Sequence, residues 1–157
     1  MTVSMIAWLV VIDIAVIVTI SVFVGFLAPR FPDRWLSRDR FLLHVMGWES
    51  PQRYRRLRVP WLAAHLPELG ALFGGQSKAT LPGLDAVALE GYLLEVRRAE
   101  IVHWASFFSW VPLAFFNPWW LTAIFAGVVM VGNALFIAIL RFNRVRILRV
   151  LEKGSTP

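Results

Sequence analysis

The stretch VSMIAWLVVIDIAVIVTISVFVGFLA, residues 3–28, decides the fold, and Asp13 is its one charged residue. As a helix rising about 1.5 Å per residue it is about 39 Å long, more than a hydrocarbon core of about 30 Å, so it predicts a tilted membrane span. A secretory leader begins with basic residues, and no Lys or Arg precedes Arg30, so an uncleaved anchor is expected. Pro29 and Pro32 end the run. Asp13 lies deep in it, where an isolated charge is costly, and is expected to be neutralised, paired with another span, or functional.

The rest of the chain follows the same logic. With 58% apolar and 17% charged residues, the composition lies outside ordinary soluble domains. There is no cysteine, which removes disulfides, thiol nucleophiles and thiolate-bound metals. Residues 29–98 form a polar loop broken by Pro32, Pro51, Pro60, Pro67, Pro82 and Gly74-Gly75, so only short helices are expected before Pro82. Beyond Pro82-Gly83 a helix is predicted, with Asp85 near its start and a Leu89, Leu93, Val96 stripe. It runs into a second, short span at about 100–116. Asn117-Pro118 makes a turn, Trp119-Trp120 supply an interfacial belt, and residues 119–140 form a third span. The expectation is one all-α membrane domain over 1–157, with three spans, a cytosolic or interfacial loop and a cytosolic tail at 141–157.

Charge sets the expected orientation. Of the 16 Lys and Arg residues, 11 lie in 30–98 and 5 in 141–153, with none before the first span or between the second and third. The positive-inside tendency then puts the N-terminus and Asn117 outside and the loop and C-terminus in the cytoplasm, as for a multi-pass inner-membrane protein. A net charge of +6 suggests nucleic acid only if position is ignored. The stretch from Arg53 to Trp61 mixes guanidinium groups with aromatics, and flanked by spans it fits an anionic headgroup surface better than nucleic acid.

Two clusters are able to carry chemistry. At about 100° per residue, Glu95, Glu100 and His103 fall within an arc of about 140°, with His103 between the acids. A carboxylate bonded to one imidazole nitrogen raises the basicity of the other, as a general base for an alcohol nucleophile needs. The alternative is a plain helix start whose charges cap and solvate the interface. In the second cluster, Asn133, Arg141 and Arg144 share a helical face, with the amide about 12 Å deeper than the first guanidinium. The arginines either bind a phosphate or carboxylate or serve the positive-inside tendency. A zinc site fails on spacing, a di-iron bundle needs the Glu-x-x-His motif twice, and there is no nucleophile elbow, P-loop or dinucleotide fingerprint. No metal or cofactor is expected.

These residues carry a resemblance. The chain resembles the glycosyl-4,4′-diaponeurosporenoate acyltransferases of carotenoid pigment synthesis, whose Glu-x-x-Arg-Ala-Glu-x-x-His-Trp signature is matched by Glu95, Arg98, Ala99, Glu100, His103 and Trp104. Asn133 and then Arg141, Asn143, Arg144 and Arg146 match a second motif, while Leu140, Phe142 and Val145 depart from it. Weaker matches lie at Pro32-Asp33, Trp48-Glu49, Leu66-Pro67 and Lys78. The resemblance implies transfer of a fatty acyl group to a sugar hydroxyl of a membrane-bound glycosylated carotenoid or related glycolipid. His103 would be the base and Glu100 or Glu95 its orienting group. Arg98, Arg141 and Arg144 would hold the donor or the oxyanion, with Trp104, Asn133, Asn143 and Arg146 also on the substrate. The expected partners are an acyl donor, the lipid-soluble acceptor, membrane lipids and other membrane enzymes, with no nucleic acid. The rival expectation is a non-enzymatic membrane subunit that docks a partner enzyme or anionic lipid.

Overall fold

The computed structural model describes residues 2–39, 41–66 and 86–154. Among them there are helices and turns and no strand. Helix α1 (Val3–Leu27) begins where the Thr2 hydroxyl accepts from the Met5 amide at 3.4 Å. Three short helices follow, α2 (Asp33–Leu36), α3 (Pro51–Arg56) and α4 (Val59–His65). Ser50 caps α3 by accepting from the Arg53 amide at 3.3 Å, and Pro51 occupies the first turn, where its missing N–H costs nothing. Helix α5 (Ala86–Phe107) and the 36-residue α6 (Trp119–Gly154) complete the fold. Pro67, Gly74-Gly75, Lys78 and Pro82 to Asp85, invoked above, lie outside the described residues.

α5 and α6 are antiparallel partners, and their packing is the heart of the molecule. Leu89, Tyr92, Leu93 and Val96 of α5 are buried with Leu140 and Ile147 of α6, so the apolar stripe read from spacing is the contact face. A second cluster seats Tyr54 and Val59 on Ile139, Phe142 and Val145, which fixes α3 and α4 against α6 just where its apolar stretch gives way to Arg141. Ion pairs tie the segment after α1 to α5: Arg97 Nη2 to Asp39 at 2.7 Å and Arg98 Nη2 to Asp33 at 3.1 Å.

Two helical segments, Val3–Arg30 and Trp119–Gly154, are long and apolar enough to cross a membrane. Asp13 is the single buried residue of α1, and Trp8, Phe23, Phe26, Ile124, Val128 and Val131 are exposed. An apolar surface this continuous is stable in lipid and costly in water. The chain is an all-α membrane protein.

The segment expected as a second span, 100–116, is not one continuous helix. α5 ends at Phe107, and Val111–Phe115 is a separate 3₁₀ helix containing Pro112. Proline has no N–H to continue an α-helical ladder and disfavours helical geometry at the residue before it. The shortness noted in the sequence is therefore met by a single helix drawn mostly from 86–100 and a tight connector. Asp13 is paired from that connector: Asn117 Nδ2 donates to its Oδ1 at 2.7 Å.

Candidate active site

Glu100 organises the α5–α6 seam. Its side chain is fully buried, and its two oxygens meet Arg141 Nε and Arg144 Nη1 of α6, each at 2.8 Å. Trp104, one turn along α5, donates from Nε1 to the same carboxylate at 3.4 Å. Arg141 continues outward: Nη1 to Glu49 Oε2 at 2.9 Å, and Nη2 to the carbonyls of Leu42 and His44 at 2.7 and 3.1 Å. Glu49 also accepts from the Met46 amide at 2.7 Å and from the Tyr54 hydroxyl. Burial, and next the hydrogen bond to Glu49, push the Tyr54 phenol above its ordinary range, so it stays a donor. The result is a buried chain from Tyr54 through Glu49, Arg141 and Glu100 to Arg144, with two carboxylates against two guanidiniums.

The two arginines differ. Arg141 has four acceptors in good geometry, whereas Arg144 meets Glu100 by distance without an aligned hydrogen bond, and this is its one ion pair among the described residues. Its position is held by charge, in a site with no exposure at all.

His103 sits one turn deeper along α5 and is half-buried. Its ring stacks on Phe136, with centroids 4.8 Å apart and planes 7° from parallel, and its Nδ1 lies 3.0 Å from Asn133 Oδ1. The tautomer follows from the amide. Asn133 Nδ2 is 2.9 Å from the Val129 carbonyl, which only accepts, so the amide nitrogen points there and the oxygen points at the imidazole. Nδ1 then carries the hydrogen, and the neutral ring has its lone pair on Nε2.

The residues singled out from the sequence thus fall into three places. Glu100, Trp104, Arg141 and Arg144 come together in the charge network, and His103 and Asn133 form the imidazole pair. Glu95 and Arg98 pair with each other and with Asp33 toward the surface. Glu100 turns to the α6 arginines and Glu95 to Arg98, and the amide of Asn133 meets Nδ1 of the imidazole. A buried carboxylate needs counter-charge and donors, and α6 offers these to Glu100 where His103 does not. Asn143 is buried on α6, and the Arg146 guanidinium lies 5.2 Å from the centre of the Phe142 ring. Glu49, Tyr54 and Phe136 were not singled out as site residues. Glu49 is the one acid in 41–66, which is a usable signal in so basic a segment. Among the described residues no group of His, Asp and Glu is placed to hold a metal.

Residues 32–153 match the sequence profile of the glycosyl-4,4′-diaponeurosporenoate acyltransferases. The chain belongs to this family. No curated protein and no solved structure matches it. The matched residues of this acyltransferase family member include the whole charge network, His103 and Asn133, and they begin after α1.

Proposed function

We propose that this chain transfers a fatty acyl group to a hydroxyl of a glycosylated carotenoid or closely related glycolipid at the cytoplasmic face of the membrane. The observation that carries the reading is the half-buried His103, with Nδ1 directed at Asn133 and its lone pair on Nε2, beside the point where the α5–α6 seam passes from apolar to charged.

In this reading Nε2 removes the proton of the sugar hydroxyl as its oxygen attacks the carbonyl carbon of an activated acyl donor. The carbonyl oxygen becomes an oxyanion. When that intermediate collapses, the bond to the donor's leaving group breaks and the imidazolium returns its proton to that group. Asn133 holds the tautomer and the ring plane without adding charge, as amides do in Cys-His-Asn sites. Glu100, Arg141 and Arg144, being paired with one another, are positioning residues that hold α5 against α6. Arg98, Trp104, Asn143 and Arg146 remain the candidates for substrate contact. Both substrates have long apolar parts, so a base at the lipid boundary lets their polar ends meet while the chains stay in hydrocarbon. We take the protein to work as one membrane domain with its basic loop and tail in the cytoplasm.

The test is acylated product per unit of membrane-inserted protein, in cells supplied with the glycosylated carotenoid. The parent chain should consume the glycoside and His103→Ala should not. Unchanged acylation by His103→Ala would sink the assignment, and no acylation by the parent would favour the rival reading of a docking subunit.

A further inference from the structure

Two groups of four arginines contrast in this protein. Arg97, Arg98, Arg141 and Arg144 are each ion-paired to a carboxylate. Arg53, Arg55, Arg56 and Arg58, on and after α3, are exposed and have no ion pair among the described residues. They are the outward side of a unit whose inward side is firmly seated. Tyr54 and Val59 are buried on α6, and Gln52 Oε1 accepts from Arg149 Nη1 at 3.2 Å.

Two further features set this surface apart from an ordinary solvated one. Leu57 and Trp61 lie among the guanidiniums and are 65% and 58% exposed. In water such side chains gain nothing, whereas at a membrane interface an indole and an aliphatic chain are favoured beside cationic groups. Arg58 has a φ of 56°, the left-handed region that favours glycine, and this turn sets the angle between α3 and α4. A glycine would adopt it without strain, so packing does not account for an arginine there.

We infer that the outer face of α3 and α4, formed by Arg53, Arg55, Arg56, Arg58, Leu57 and Trp61, is a binding surface for the phosphate headgroups of anionic lipid. Charge complementarity selects an anion, and the interleaved apolar side chains select one presented at a lipid surface. The seating of Tyr54 on Phe142, two residues past the last apolar residue of the α6 span, holds the surface level with the headgroup layer. Duplex nucleic acid would satisfy the guanidiniums and leave Leu57 and Trp61 in water. The binding does not depend on acyl transfer, and its failure would leave the proposed activity untouched.

The full chain, purified in detergent, is titrated with phosphatidylglycerol and with phosphatidylcholine of the same acyl composition, and lipid adducts are counted by native mass spectrometry. The parent should prefer phosphatidylglycerol by at least about tenfold, and each Arg→Gln change should lower that preference about threefold to fivefold, the effect of roughly one interfacial cation. Combining Arg53→Gln, Arg55→Gln, Arg56→Gln and Arg58→Gln should abolish it. The corresponding four Lys substitutions keep the charge and should keep most of the preference, and the single variants decide the matter if the combined one is not recovered folded. Arg58→Gly should leave the fold intact and still weaken the preference. A parent with no preference for phosphatidylglycerol, or variants that retain the parent's preference, would overturn the assignment.

Discussion

Changing Glu100 to Gln tests the charge network most directly. The carboxylate has no exposure and holds two guanidiniums, but losing it affects them unequally. Arg141 still has Glu49 and two backbone carbonyls, whereas Arg144 is left buried with no ion pair among the described residues. Removing one partner of a buried pair costs about 3–5 kcal/mol, most of it the cost of the stranded charge. For a chain of this size each kcal/mol moves the melting temperature by about 2–4 °C, so Glu100→Gln should melt on the order of 10 °C below the parent.

Arg144→Met in the Glu100→Gln background removes the stranded cation and fills its volume with apolar atoms, so most of the lost stability should return. Arg141→Met in that background strands Glu49 and leaves Arg144 alone, so it should melt lower still. The assay is thermal loss of monomeric protein in detergent, followed by size exclusion for the parent, the single and both doubles. If Glu100→Gln melts within about 2 °C of the parent, or if Arg141→Met rescues as well as Arg144→Met, the network is not organised around Glu100 as described.

Other perturbations separate chemistry from support. His103→Ala should lower acylated product by about 10²-fold or more, the scale of general-base catalysis, with the melting temperature nearly unchanged. Asn133→Ala should fall between that variant and the parent in turnover, because it frees the ring plane and tautomer while leaving the base in place. Asp13→Ala leaves the half-buried Asn117 amide without its acceptor and should cost about 1–3 kcal/mol, and Asn117→Ala added to it should cost little more, read as melting temperatures of the single and double variants. Reporter fusions should place Met1 and Asn117 outside and Arg53 and Lys153 inside, and a cytosolic Asn117 would require the α5–α6 connector to turn back within the membrane.

Much of the fold is written in periodicity. The run at 3–28 reads as a helix because nothing in it but Asp13 opposes burial in lipid, and α5 meets α6 through Leu89, Leu93 and Val96 as their spacing requires. Asn133, Arg141 and Arg144 share a helical face by spacing, and all three side chains meet α5. What spacing does not reveal is choice of partner. Glu95, Glu100 and His103 lie on one arc, and on that arc alone Glu100 is a reasonable orienting group for the imidazole. The outcome is decided by two guanidiniums that arrive from 41 and 44 residues further on and offer the carboxylate more than a neutral ring does. Glu49 enters the same network from a short loop whose approach depends on the burial of Tyr54, a tertiary event with no local signature.

In the proposed reading, the division between the buried charge network and the half-buried imidazole bears on how such a site works in a membrane. A catalytic base must reach its substrate and change protonation during each turnover, so it cannot be locked between permanent charges. The helices that present it must nevertheless be held in register where hydrophobic packing against lipid adds little specificity. Here Glu100, Arg141 and Arg144 pin α5 to α6 at the polar end of the seam, with Glu49 tying the segment before α3 to Arg141, where desolvating the charges is less costly than at mid-membrane. His103, three residues along α5, takes its orientation from a neutral amide that a deeper, more apolar position tolerates. In the proposed reading, placing the charges first and the base one turn inward lets the same pair of helices be rigid at the boundary and present the imidazole just inside it.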